Sequence, residues 1–133
     1  MGAGVAKMHE FSMCQTIVSA VAAELAKMNP PPKRLVKVRV VVGRLRNVVP
    51  EFMQDAFKIL SKDTPVAGAE LEIRLAPVIG KCEKCSSQGE MPRGVFVCGK
   101  CGSAKAEIVC GRELYLDDLE VEIEDGEQVG KGA

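Results

Sequence analysis

Four of the six cysteines form two knuckles, Cys82-Glu83-Lys84-Cys85 and Cys98-Gly99-Lys100-Cys101, separated by twelve residues. Thiolates at this spacing can occupy the corners of a tetrahedron around Zn(II). Four thiolates close the coordination sphere and leave no open position for a substrate, so the metal is expected to act as a staple. Mononuclear iron uses similar knuckles and is the competing metal. Lys81, Lys84, Lys100 and Lys105 flank the knuckles and can offset the formal double negative charge of the centre. Gly99 and Gly102 relieve crowding where backbone N–H groups turn towards sulfur.

The single histidine, His9, stands in Met8-His9-Glu10. In a chain that begins at Met8, the free α-amine, the deprotonated His9 amide nitrogen and the His9 imidazole can wrap a metal in fused chelate rings. A further donor, such as the Glu10 amide, completes a square plane. That geometry with nitrogen donors suits Ni(II) or Cu(II) and not Zn(II). The competing reading is a solvated histidine near a terminus. One histidine also leaves no Ser/His/Asp or Cys/His pair for nucleophilic catalysis, so the chain reads as something other than an enzyme. The unpaired cysteines read as bystanders: Cys14 as a core thiol, Cys110 as a strand residue.

The elements that must position these groups follow from periodicity. Phe11, Cys14, Val18, Val21, Ala22, Leu25 and Met28 recur at helical spacing over residues 11–28. Asn29-Pro30-Pro31-Pro32 ends that helix. Leu35–Val42 alternates around Lys37 and Arg39 as a strand. Pro50 suits the first turn of a second helix, with Phe52, Met53, Ala56, Phe57 and Leu60 as its apolar face. Ala69–Leu75 alternates again, and residues 112–124 return to strand pattern with Leu114, Leu116, Leu119, Val121 and Ile123 apolar. Residues 80–110 hold too few large apolar groups for a hydrophobic core, so the metal is expected to hold them. The expected architecture is α+β: two helices packed on a small three-stranded sheet, with a protruding four-cysteine zinc-ribbon module. The expected organisation is a flexible extension at 1–7, an α+β domain at 8–79 plus 111–124, the ribbon at 80–110 and a flexible tail at 125–133.

Composition narrows the function classes. At 133 residues the chain makes about one domain. Eighteen Lys and Arg balance eighteen Asp and Glu, and Trp is absent, which weighs against nucleic-acid binding. A zinc-ribbon module for nucleic acid or protein stays as the alternative function, carried by Lys81, Lys84, Arg93, Lys100 and Lys105. The longest uncharged run, Phe11–Ala23, has thirteen residues, short of the roughly 18–20 that span a bilayer. Ser12, Gln15, Thr16 and Ser19 interrupt it as a signal segment. A cytoplasmic protein that does not engage a membrane is expected, with paired cysteines on a metal and not in disulfides.

Taken together, these residues resemble the HypA/HybF nickel metallochaperones of NiFe-hydrogenase maturation. The likeness runs from Met8-His9-Glu10-Phe11-Ser12 through Val42-Gly43-Arg44-Leu45, Val49-Pro50-Glu51 and Ala56-Phe57. It continues in Gly68-Ala69-Glu70-Leu71-Glu72-Ile73 and Ala76-Pro77-Val78. It ends with Cys101-Gly102-Ser103, Gly111-Arg112-Glu113-Leu114 and Leu119-Glu120-Val121-Glu122. The resemblance implies a nickel-binding α+β domain with a protruding four-cysteine zinc domain. It implies Ni(II) as cargo, bound at His9 with Glu10 and Met8 beside it, and structural Zn(II) on Cys82, Cys85, Cys98 and Cys101. It implies delivery to the NiFe-hydrogenase large subunit with a HypB-type GTPase, some members also serving urease maturation proteins. Apart from the resemblance, a homodimer is the assembly to test. Two departures stand out. Met1–Lys7 precede the family's opening motif, which would lock the Met8 amine in a peptide bond. Gly99 stands where many members have proline.

Overall fold

The first helix buries a stripe of Glu10, Met13, Cys14, Ile17, Val21 and Leu25, spaced three or four residues apart as one helical face requires. Its structure comes from a computed structural model, which describes residues 2–91, 95–123 and 128–132, with 2–8 and 128–132 described in backbone only. This helix, α1, spans Gly2–Ala26. It therefore begins well before the expected start at residue 11 and takes in the segment expected to be a flexible extension. Ala3, Ala6, Lys7 and Met8 are good helix formers, and a formed helix propagates readily into such residues. At the other end, Lys27 N–H and Met28 N–H bond carbonyls three residues back, and the prolines follow.

The remaining elements are β1 (Arg34–Gly43), the 3-10 turn Arg44–Arg46, α2 (Pro50–Ser61), β2 (Glu70–Ala76), β3 (Ile79–Cys82), β4 (Gln88–Glu90), β5 (Ala106–Cys110), β6 (Leu114–Glu122) and β7 (Gln128–Gly132). Helix α2 buries Met53, Ala56, Phe57 and Ser61 and packs against α1. One sheet has the order β2-β1-β6-β7. Lys33 N–H bonds Glu122 O and Gly43 N–H bonds Glu113 O, so β1 and β6 run antiparallel. The α+β class holds, but the sheet has four strands where three were expected. The extra strand is β7, inside the supposed tail, which pairs antiparallel with β6 from Asp118↔Gly132 to Glu122↔Gln128. Backbone pairing needs no apolar side chains, so a Gly-rich polar sequence can supply it.

Arg39 on β1 joins the neighbouring strands by charge. Its guanidinium donates to Glu72 at 3.2 Å, Asp118 at 2.8 Å and Glu120 at 2.9 Å. These hydrogen bonds, the one to Asp118 foremost, raise its already high pKa.

The chain divides into two compact units. The first contains residues 1–40, 48–74 and 115–133, and thus both helices. The second contains residues 41–47 and 75–114. In this second unit a three-stranded sheet has the order β4-β3-β5, antiparallel throughout. The expectation that no hydrophobic core forms here is corrected. Val78, Cys82, Met91, Phe96 and Cys98 bury together, with Leu45, Ala106 and Ile108 packed on them. The cluster is legible only when the cysteines are counted as hydrophobes and Leu45 and Val78 are recruited from outside the 80–110 window.

Two motifs meet in this unit. Gly43 N–H bonds Glu113 O at 2.7 Å, Leu45 N–H bonds Gly111 O at 2.9 Å, and Arg46 Nε bonds Arg112 O at 2.9 Å. A Cβ on Gly43 would stand 2.0 Å from Gly111 O, and Gly111 has φ +134. Only glycine fits either position. No helix among the described residues is long and apolar enough to cross a membrane.

Candidate metal centre

The two knuckles repeat one local fold. Cys82 N–H bonds Ser87 O at 2.8 Å and Ser86 N–H bonds Cys82 O at 3.0 Å. Cys98 N–H bonds Ser103 O at 2.8 Å and Gly102 N–H bonds Cys98 O at 3.0 Å. The residue before each closing serine is left-handed, Ser86 at φ 65 and Gly102 at φ 74. This tight turn brings each pair of cysteines to one side. It also aims backbone N–H groups at sulfur: those of Lys100 and Cys101 both lie 3.4 Å from Cys98 Sγ.

The structure brings Cys82, Cys85, Cys98 and Cys101 together, with all four sulfurs within 4.8 Å of one another. Cys82 Sγ is 3.6 Å from Cys101 Sγ, and Cys85 Sγ is 3.4 Å from Cys98 Sγ. A tetrahedral Zn(II) with bonds of about 2.3 Å sets its sulfurs about 3.8 Å apart, so the donor set fits that ion. Cys82 and Cys98 are buried while Cys85 and Cys101 face solvent. Ser87 Oγ lies 3.3 Å from Cys85 Sγ, and hydrogen bonding by that hydroxyl lowers the thiol to about 6. The Cys82 thiol is also lowered, first by the Cys85 backbone N–H. Cys101 reaches about 11: the Ser103 amide pulls it down, but the Cys82 thiol, burial and the other sulfurs outweigh that pull. Thiolates are the ligating form, so easily ionised Cys82 and Cys85 are ready donors.

The N-terminal motif has a different environment. Met8, His9 and Glu10 are consecutive residues of α1. His9 is exposed and Glu10 is fully buried, because successive helix residues turn about 100° from one another. Glu10 Oε2 accepts the Val49 N–H at 2.7 Å. Its Oε1 is buried with no hydrogen-bond partner. Val49 is the N-cap of α2 and provides no side-chain cap of its own, so Glu10 brings negative charge to the positive end of that helix. One turn further along α1, Cys14 Sγ donates to Met53 O at 3.1 Å. Burial, aided by Glu10, pushes that thiol up to about 12. Cys14 is thus the expected core thiol. Cys110 closes β5 in register with Ile79, the expected strand residue.

The model of the family described as hydrogenase/urease nickel incorporation, metallochaperone, HypA matches residues 8–121. The chain belongs to the HypA family. Hydrogenase maturation factor HypA of Desulfitobacterium hafniense (strain DSM 10664 / DCB-2) is 36% identical over 115 residues, covering 86% of this chain and 99% of that protein. The HypA protein of Solidesulfovibrio magneticus is 37% identical over 119 residues, covering 86% and 100%. The solution structure of the nickel metallochaperone HypA from Helicobacter pylori superposes with a TM-score of 0.60 at 28% identity, covering 86% of this chain and 98% of that one. HypA members are metallochaperones and maturation factors, not enzymes. In this HypA-family chain the matched region opens on Met8 and leaves out the first seven residues. Sequence reasoning found the four cysteines by their spacing. It missed the capping role of Glu10, whose signal is visible only as a carboxylate in phase with the buried stripe of α1.

Proposed function

We propose that this chain carries Ni(II) as cargo at its Met8-His9-Glu10 motif and delivers it for NiFe-hydrogenase maturation. The His9 imidazole and amide nitrogen are the core donors, joined by the Glu10 amide and, where the chain begins at Met8, by the α-amine. Zn(II) on Cys82, Cys85, Cys98 and Cys101 holds the second unit together. The partners are a HypB-type GTPase and the hydrogenase large subunit, with urease maturation proteins and a second copy of the chain as further candidates. The setting is the cytoplasm.

The observation that carries this reading is the family match, which begins at Met8 itself. The structure adds a physical condition. Within α1 the amide N–H groups of His9 and Glu10 lie inside a helix that starts at Gly2, where they bond carbonyls four residues earlier. A chain starting at Met8 frees those amides, because the first four N–H groups of a helix lack intrahelical partners. Nickel titration of zinc-loaded protein tests this with the full chain, a chain starting at Met8, and that shorter chain with His9→Ala. The shorter chain should bind most tightly, and His9→Ala should abolish binding. Equal binding by all three would refute the assignment. Affinity should also fall towards pH 6, since imidazole and amide must lose protons to ligate.

The alternative, a ribbon that docks a partner, draws on the partition of charge. The balanced total conceals a second unit with eight Lys and Arg against four Asp and Glu. A salt-dependent mobility shift with DNA or RNA near physiological ionic strength would favour a nucleic-acid partner. A visible absorption band in the purified protein would replace zinc by iron.

A further inference from the structure

The role of Glu10 can be taken further, on the basis of the nickel reading above. The side chain is fully buried. Taking a carboxylate out of water is unfavourable unless the site returns strong interactions, and here one oxygen has a single hydrogen bond while the other has none. A bulky apolar residue would satisfy packing alone. What the carboxylate adds is reach and direction: it crosses from α1 to Val49, the N-cap of α2. The bonds Glu10–Val49 and Cys14–Met53 join α1 to the start of α2 at two points, each four residues apart along its helix. Together they fasten α1 from residue 10 onward. They also link two motifs that lie far apart in sequence, Met8-His9-Glu10 and Val49-Pro50-Glu51.

A square-planar chelate needs the His9 and Glu10 amides free of the helix. Carboxylate ligation would need still more: the Glu10 side chain would have to leave its seat and abandon the Val49 N–H. We propose that Glu10 is a positioning residue of the nickel motif. Its carboxylate, held by the Val49 N–H, anchors α1 at residue 10 while the residues before it unwind around the metal. Glu10 is not a ligand through its side chain.

The test uses zinc-loaded chains starting at Met8 with Glu10 unchanged, Glu10→Gln or Glu10→Asp. Nickel affinity is measured against a competing chelator, and the visible band of planar nickel is recorded at saturation. Gln keeps the reach and an acceptor oxygen for Val49 but loses the carboxylate. Asp keeps the carboxylate but is one methylene too short. Glu10→Gln should keep the planar nickel band of the parent. Glu10→Asp should bind about tenfold more weakly, in the range seen when groups that orient a ligand are removed, and keep the same planar band. Loss of the band in Glu10→Gln would make the carboxylate a ligand and overturn the proposal. Unchanged affinity in Glu10→Asp would overturn it too, because position would then not depend on the Val49 bond. If the parent chain itself binds nickel no better than its His9→Ala variant, the nickel reading fails and the role of Glu10 falls with it. Either variant result in a nickel-binding parent judges Glu10 alone.

Discussion

The Cys82–Cys101 cluster and the Met8–Glu10 segment offer opposite kinds of donor. The four sulfurs already stand within 4.8 Å of one another, held by two copies of one hydrogen-bonded turn and by a small apolar cluster that includes Cys82 and Cys98. A metal entering that site finds its ligands nearly in place, and leaving it would undo the unit around it. The His9 segment is a regular helix, whose backbone nitrogens must break hydrogen bonds before they can ligate. In the full chain a metal bound there would carry a reorganisation cost that the helix recovers on release. On the nickel reading proposed here, the contrast would separate a resident ion from a cargo ion by construction, before any affinity is considered.

The largest effect is expected from removing one sulfur. Cys82→Ser should abolish zinc retention and expose residues 75–114 to hydrogen exchange, while the α1–α2 amides keep their protection. Hydrogen exchange read by mass spectrometry, with zinc analysis, checks both halves. The converse is Phe57→Ala in the helical unit, where the ring is 1% exposed. It should lower stability by about 3–5 kcal/mol in denaturant titration while zinc content stays unchanged.

A smaller effect is expected at Gly43→Ala, whose Cβ would collide with Gly111 O. Relief by backbone movement should cost about 1–3 kcal/mol, read as an earlier unfolding transition of the second unit. At neutral pH the smallest effect concerns Cys14, with a folded pKa of about 12 against an ordinary value of 9.0. Between those pH values the unfolded thiol ionises and the folded one does not, so stability falls as pH rises through this window. Cys14→Ala should flatten that alkaline slope in pH-dependent melting. Native Cys14 should also resist thiol reagents at pH 8.

The cluster was legible in the sequence because its spacing is its chemistry: two Cys-x-x-Cys turns converge with little help from the rest of the fold. Helix α2 and strands β1, β2 and β6 were legible because their apolar residues keep a period. Elsewhere the period is silent. Strands β3 to β5 are short and contain Gly, Lys and Glu, so their pairing rests on backbone hydrogen bonds. Strand β7 looks like a tail for the same reason. Glu10 is the most instructive miss. A carboxylate counts as polar in any periodicity, yet here it sits in the buried stripe one turn from Cys14. Motifs could be recognised one by one, but that Gly43 lies against Gly111, and Glu10 against Val49, is information only the fold contains.

The division of labour between the two sites is tested most directly by X-ray absorption at the nickel and zinc edges of one sample, a chain starting at Met8 and loaded with both metals. That division predicts zinc bound by four sulfurs at about 2.3 Å and planar nickel with nitrogen neighbours alone. Sulfur in the nickel shell, or nitrogen replacing sulfur at zinc, would contradict it.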